Sequence, residues 1–174
     1  MQLYVVRHGE TEMGKNKVIA TIEEPLNDYG IKQAIDLGLE LNCKNIDLIY
    51  CSPIQRAQHT LELFELEKNI PVILDERIKE RNMGIYENIS FDKLNWENFW
   101  GIDSEKTYPE LESMKNVYKR VSEFLDELRE KYNDKSILLV THGGIARAIY
   151  WYFKGFDNSL FKCENCKIYE YNIN

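Results

Sequence analysis

"QLYVVRHGET", residues Gln2 to Thr11, runs four apolar residues, Leu3 to Val6, directly into an arginine, a histidine and a glycine. An apolar run without alternation predicts a strand buried on both faces, as in a parallel sheet covered by helices. Similar runs at Leu48 to Cys51, Val72 to Leu74, Ile137 to Val140 and Ile168 to Tyr171 extend the pattern along the chain. Helical spacing separates them. In "NDYGIKQAIDLGLEL", Asn27 or Asp28 caps a helix in which Ile31, Ala34, Ile35 and Leu39 recur. Pro53 opens another, with Ala57, Leu61 and Phe64 on one side. From Pro109 to Tyr132, residues Leu111, Met114, Tyr118, Val121, Leu125, Leu128 and Tyr132 recur at steps of three and four, the stripe of a helix docked on a sheet. Strands alternating with helices predict an α/β fold, a three-layer sandwich whose mostly parallel central sheet carries helices on both faces.

With 174 residues, 44% of them hydrophobic, the chain can bury one sizeable core, so residues 1–174 are expected to form a single domain. The alternation is interrupted at about residues 85–108, a stretch rich in aromatics (Tyr86, Phe91, Trp96, Phe99, Trp100, Tyr108). It reads equally as a lid over a ligand or as an insertion packed on the core. A net charge of -7 with no Lys/Arg-rich run argues against a nucleic-acid partner. No stretch reaches the roughly 20 apolar residues of a membrane span, and no secretory leader is visible, so a soluble cytoplasmic protein is expected. Of four cysteines, only Cys163 and Cys166 are close in sequence. Two ligands are too few for a zinc site and the following residues look like a strand, so ordinary thiols are expected.

In sheets of this kind ligands sit beyond the carboxyl ends of the strands. Arg7-His8-Gly9 follows the first strand, Ser52-Pro53-Ile54-Gln55-Arg56 the second, and Thr141-His142-Gly143-Gly144 the run "ILLV". If these strands are neighbours, His8, His142, Arg7 and Arg56 gather in one place. Two guanidinium forks match the oxygens of a phosphate monoester and stay charged at working pH. Glycines after each histidine permit close backbone approach, and helix starts near Pro53 and Gly143 add amide donors. One imidazole can attack phosphorus while the other donates a hydrogen bond to the developing charge. The neighbouring cation Arg7 predicts a lowered pKa for the attacking histidine. His59 lacks such a context and reads as a helix-face residue. A leaving group also needs a proton, and "LDERIKERNMGIYEN" offers Glu76, Glu80 and Glu87, among which periodicity does not choose.

"LYVVRHGET", "CSPIQRAQHT" and "LLVTHGGIAR" resemble, in order and over most of the chain, the signature segments of the histidine phosphatase superfamily, the phosphoglycerate mutase-like family. "PELESMKNVYKRV" is similar to a further family segment, with Leu111 where glycine is usual. The resemblance implies that His8 is the nucleophile that forms a phosphohistidine, and that Arg7, Arg56 and His142 form the phosphate pocket, with Gly143 beside them. It ranks Glu80 as proton donor, because Glu80, Gly84 and Glu87 match the family's spacing. It also implies a reaction with no metal and no cofactor, in keeping with the lack of an Asp/His ligand cluster. Two positions depart from the pattern. Gly14 stands where the family has an asparagine that holds phosphate, for which Asn16 is the available substitute, and Asn88 stands where the family has glycine.

The expected activity is hydrolysis of a small phosphorylated metabolite. The alternatives are a mutase, which would return the phosphoryl group to a retained substrate, and a binding protein without turnover. A mutase needs fixed positive charge to retain its intermediate, and residues 85–108 carry only Lys93 and Lys106. A binding protein has little use for nucleophile, arginines, second histidine and acid together.

Overall fold

The computed structural model describes residues 1–66, 69–156 and 161–173. Its centre is a five-stranded sheet of β1 (Gln2–Arg7), β2 (Leu48–Cys51), β3 (Val72–Leu74), β4 (Ser136–Thr141) and β5 (Ile168–Asn172), in the spatial order β3-β2-β4-β1-β5. Four strands are parallel, and β5 runs antiparallel along β1. The central strands are buried on both faces, which explains their unbroken apolar runs. Leu3 and Val5 of β1 and Ile137 and Leu139 of β4 point into one core, with Val117, Val121, Phe124, Leu125 and Leu128 of α5 (Met114–Lys131) and Ile145, Ala148 and Ile149 of α6 (Gly143–Lys154). Tyr4, Val6, Leu138 and Val140 point into the other, with Ala34, Leu37 and Leu41 of α2 (Asp28–Leu41) and Ala57 of α3 (Gln55–Glu62). The short helices α1 (Glu12–Lys15) and α4 (Trp96–Phe99) lie in the connections. Burying each large aliphatic side chain in these cores contributes roughly 1.5–3 kcal/mol, and this two-sided packing makes the three layers.

Local expectations fare unevenly. Asn27 is the cap of α2, accepting from the Gly30 N–H at 2.8 Å, but the buried face of that helix is Gly30, Ala34, Leu37, Gly38 and Leu41. Ile35 and Leu39 face outward, so their helical spacing marked the wrong stripe. The long helix starts at Met114, where the Ser113 hydroxyl accepts from the Asn116 N–H, and Leu111 belongs instead to a separate cluster with Ile19, Met83 and Phe99. Val72, Ile73 and Leu74 are about half exposed because β3 is the sheet edge, so their apolar run is not the mark of a strand buried on both faces. The aromatics of residues 85–108 pack on that separate cluster, which includes Tyr86, Phe91, Trp96, Trp100 and Tyr108.

Candidate active site

Register brings the strand ends together. Arg7 lies opposite Thr141 in the β1–β4 ladder and Cys51 lies opposite Val140 in the β2–β4 ladder, so His8, His142 and Ser52 leave the sheet side by side. The ladder continues one step beyond the strands, with His8 N–H donating to the Thr141 carbonyl and Ser52 N–H to the Val140 carbonyl, both at 2.9 Å. The two imidazole centroids are 5.0 Å apart. Arg56, in the first turn of α3, reaches the same point, its Nε donating to His8 Nε2 at 3.2 Å.

These contacts set the His8 tautomer. Nδ1 lies 2.7 Å from the Gly9 carbonyl, which can only accept, so the ring proton sits on Nδ1. Nε2 is left with its lone pair, facing the Arg56 N–H. Burial first, then the charges of Arg56 and Arg7, hold the His8 pKa well below its ordinary 6.5, with the Gly9 bond opposing them. His142 is lowered in the same way, by burial and then by His8, Arg56 and Arg7. Its Nε2 is 2.7 Å from Ser52 Oγ, which also accepts from the Ile54 N–H. Donation by the Ser52 hydroxyl to Nε2 would put the His142 proton on Nδ1, a buried atom with no partner among the described residues. Arg7 has a second such donor, its Nε, while its Nη1 is tied to the Cys163 carbonyl at 2.9 Å. An anion at this point would meet donors that nothing else in the described structure uses.

A cavity of about 640 Å³ opens over the group, lined among others by Arg7, His8, Arg56, Glu80 and Gly143. His142 is fully buried, with its ring centroid 5.0 Å from that of the lining residue His8. Of the three acids, Glu80 borders the cavity, and its carboxylate accepts from the Arg81 N–H at 2.8 Å and the Gly144 N–H at 3.4 Å. Glu87 and Glu76 line a neighbouring cavity of about 760 Å³, which shares Arg56 and Glu80 with the first. The structure does not bring Asn16 to either cavity. It is exposed and donates to Glu12 Oε1 at 3.1 Å, whereas Gly14 lies in the cavity wall. The space left by Gly9 is also used differently from expectation: a Cβ there would stand 2.4 Å from the Gly30 carbonyl oxygen, so Gly9 admits α2. His59 lies partly buried on α3.

Several supports do not stand out in the sequence. Thr60, one turn after Arg56, accepts from the Gly9 N–H at 3.1 Å and donates to the Arg56 carbonyl at 2.7 Å. "CENC" is a brace: Cys163 O holds Arg7, Asn165 Nδ2 donates to the His8 carbonyl at 2.7 Å, and Cys166 N–H donates to the Arg7 carbonyl at 3.0 Å. Both cysteines are free, and burial pushes their thiols up to about 11 and about 12, which suits structural thiols. Phe91, Trp96 and Trp100, of residues 85–108, reach into the cavity wall, so those aromatics serve packing and cavity at once. No helix among the described residues is long and apolar enough to cross a membrane.

A family model described as the histidine phosphatase superfamily (branch 1) matches residues 3–174. The chain is 32% identical to phosphoserine phosphatase 1 of Hydrogenobacter thermophilus, over 99% of this chain and 85% of that protein. The α-ribazole phosphatase of Shigella flexneri superposes with a TM-score of 0.83 at 26% identity, covering 100% of this chain and 91% of that one. The phosphoserine phosphatase of Entamoeba histolytica, solved in complex with 3-phosphoglyceric acid, gives 0.79 at 26%, covering 97% and 89%.

Two outcomes test this geometry. The unfolded chain takes up a proton at each histidine near pH 6.5, whereas the folded chain keeps His8 and His142 neutral well below that. Their contribution is therefore complete above about pH 6.5 and is lost as pH falls toward the folded values, by up to roughly 1.4 kcal/mol per pH unit for each histidine. Urea unfolding of His142→Asn between about pH 7 and about pH 5 should show a shallower decline than the native chain; parallel declines would contradict the buried neutral assignment. Second, a Cβ on Gly144 would stand 2.6 Å from Glu80 Oε1 and 3.1 Å from the Trp100 ring. Gly144→Ala should move the Glu80 carboxylate and lower kcat roughly 10–100-fold with a small change in unfolding midpoint; unaltered kcat would place Glu80 outside the chemistry.

Proposed function

The chain belongs to branch 1 of the histidine phosphatase superfamily, and on that premise we propose that it hydrolyses a small-molecule phosphate monoester through a phosphohistidine on His8. The observation that carries this reading is the locked His8 ring, whose Nδ1–H is held by the Gly9 carbonyl while the Nε2 lone pair faces the Arg56 guanidinium. Phosphate oxygens take the donors of Arg7, Arg56 and His142 Nδ1, together with the first amides of α6 at Gly143. Nε2 attacks phosphorus in line, the bond to the ester oxygen breaks, and that oxygen takes the carboxyl proton of Glu80. Water then attacks phosphorus and gives its proton to the Glu80 carboxylate. The P–N bond breaks with its electron pair returning to Nε2, and inorganic phosphate leaves. Arg7 and Arg56 balance the charge of the transferred group, so the step is read as independent of a metal and of any cofactor.

Relatives named for phosphoserine and α-ribazole phosphate hydrolysis support a small metabolite as substrate. Against mutase transfer, the cations of residues 85–108 stand away from the cavity, whose basic lining beyond Arg7 and Arg56 is Arg147 and Lys162. Lys93 and Lys106 are exposed, Lys106 is paired with Asp103 at 3.2 Å, and neither lines the cavity. The N-terminal and C-terminal strands β1 and β5 are paired in one sheet, which supports reading residues 1–174 as a single domain with residues 85–108 as its insertion. A cytoplasmic location remains part of the same proposal.

Phosphate release should be measured across a panel of small monoesters, 3-phosphoglycerate included, with and without a chelator. Release insensitive to chelation is expected, and His8→Ala should lower it at least about a thousand-fold. Conversion of 3-phosphoglycerate to 2-phosphoglycerate without free phosphate would contradict the hydrolase reading, and near-native release by His8→Ala the nucleophile.

A further inference from the structure

Resting on the assignment of Glu80 as the acid, we propose that Arg81 is a positioning residue: its guanidinium, locked inside the aromatic insertion, fixes the Glu80 carboxylate and the Trp100 wall of the cavity relative to each other. Arg81 is 2% exposed. Its Nε donates to the Glu112 carbonyl at 2.5 Å, Nη1 to the Phe99 carbonyl at 2.6 Å and Nη2 to the Ser104 hydroxyl at 2.7 Å. Its guanidinium carbon lies 5.0 Å from the Phe99 ring centroid and 5.4 Å from that of Trp100. The same residue's N–H holds Glu80 Oε1. One amino acid thus binds the acid through its backbone and the insertion through its side chain.

The neighbouring chain is braced from the other side. Arg120 Nη1 donates to the carbonyls of Arg77 and Lys79, and the same guanidinium pairs with Glu112 at 2.9 Å. Glu112 in turn accepts from the Asn82 N–H at 2.9 Å. Arg81 therefore anchors the end of a short segment whose other contacts are already made, and Trp100, packed near Gly144, carries that anchoring to the start of α6. Burying a guanidinium is a poor way to gain stability compared with an apolar side chain of similar volume. What the fork supplies is direction: the separated acceptors and the Phe99 and Trp100 rings suit a planar group and not an ammonium.

Leaving groups separate positioning from mere folding. A p-nitrophenolate departs without a proton, whereas an alkoxide such as that of 3-phosphoglycerate needs the acid. Arg81→Met should lower kcat/KM, which reports the phosphoryl-transfer step and not the later hydrolysis that both esters share, roughly 10–100-fold more on 3-phosphoglycerate than on p-nitrophenyl phosphate. Arg81→Lys should shift the ratio the same way, and Ser104→Ala, which removes one acceptor, should shift it less. Glu80→Gln should show the selective loss by itself, and adding Arg81→Met to it should not widen the ratio. Equal loss on both esters, or an unmoved ratio in Arg81→Lys and Ser104→Ala where Arg81→Met fails to fold, would overturn the proposal. Where the panel shows another alkyl monoester to be turned over faster, that ester replaces 3-phosphoglycerate in the ratio, and a native enzyme that turns over no ester of the panel would overturn the proposal together with the phosphatase reading, a result distinct from native turnover with an unmoved ratio.

Discussion

The β1–β4–β2 register is the constraint on which the rest of the structure depends. Parallel pairing sets Arg7 against Thr141 and Cys51 against Val140, so three chain segments leave the sheet at one level. A slip by one residue would turn Leu3 and Val5 from one core to the other and point His8 away from His142. The two hydrophobic cores therefore hold the site's geometry as well as the fold, because each alternate residue of β1 and β4 is committed to one side or the other.

On this mount the electrostatics follow from burial. Two histidines and two arginines crowd together, and the histidines respond by remaining neutral, which leaves Nε2 of His8 able to act as a nucleophile. The carbonyl of Gly9 then chooses which nitrogen carries the proton. Backbone approach contributes too, since Gly9 and Gly30 let α2 sit against the loop that follows β1, and Thr60 ties that loop to α3.

Much of this was legible in the sequence because it is local. Apolar runs on central strands signal two-sided burial, and a His-Gly pair after such a run signals a strand-end site, whatever lies between. What was not legible depends on partners distant in the chain. The Val72 to Leu74 run resembles a core strand, yet only sheet order shows it to be an edge. Ile35 and Leu39 have helical spacing, but the glycine-containing face of α2 is the one that approaches the backbone, at Glu10 after β1 and at Phe64 just beyond α3. "CENC" attracts notice for its thiols, while its backbone and Asn165 brace Arg7 and His8. Glu80 could be picked from three acids only through family resemblance, and its hold on Gly144 is a contact across 64 positions of chain. Arg81 looks like a surface residue in "KERNMG" and is nearly fully buried, because acceptors from residues 85–108 and from the turn before α5 close around its guanidinium.

The central claim is that His8 Nε2, held neutral and aimed by the Gly9 carbonyl, accepts the phosphoryl group. Rapid quenching of the enzyme with a labelled phosphate monoester, followed by mapping of the labelled peptide and of the substituted ring nitrogen, tests it most directly. The expected product is a phosphohistidine at Nε2 of His8, formed and lost at rates compatible with turnover. A label on Nδ1, on another residue, or absent while turnover proceeds would contradict it.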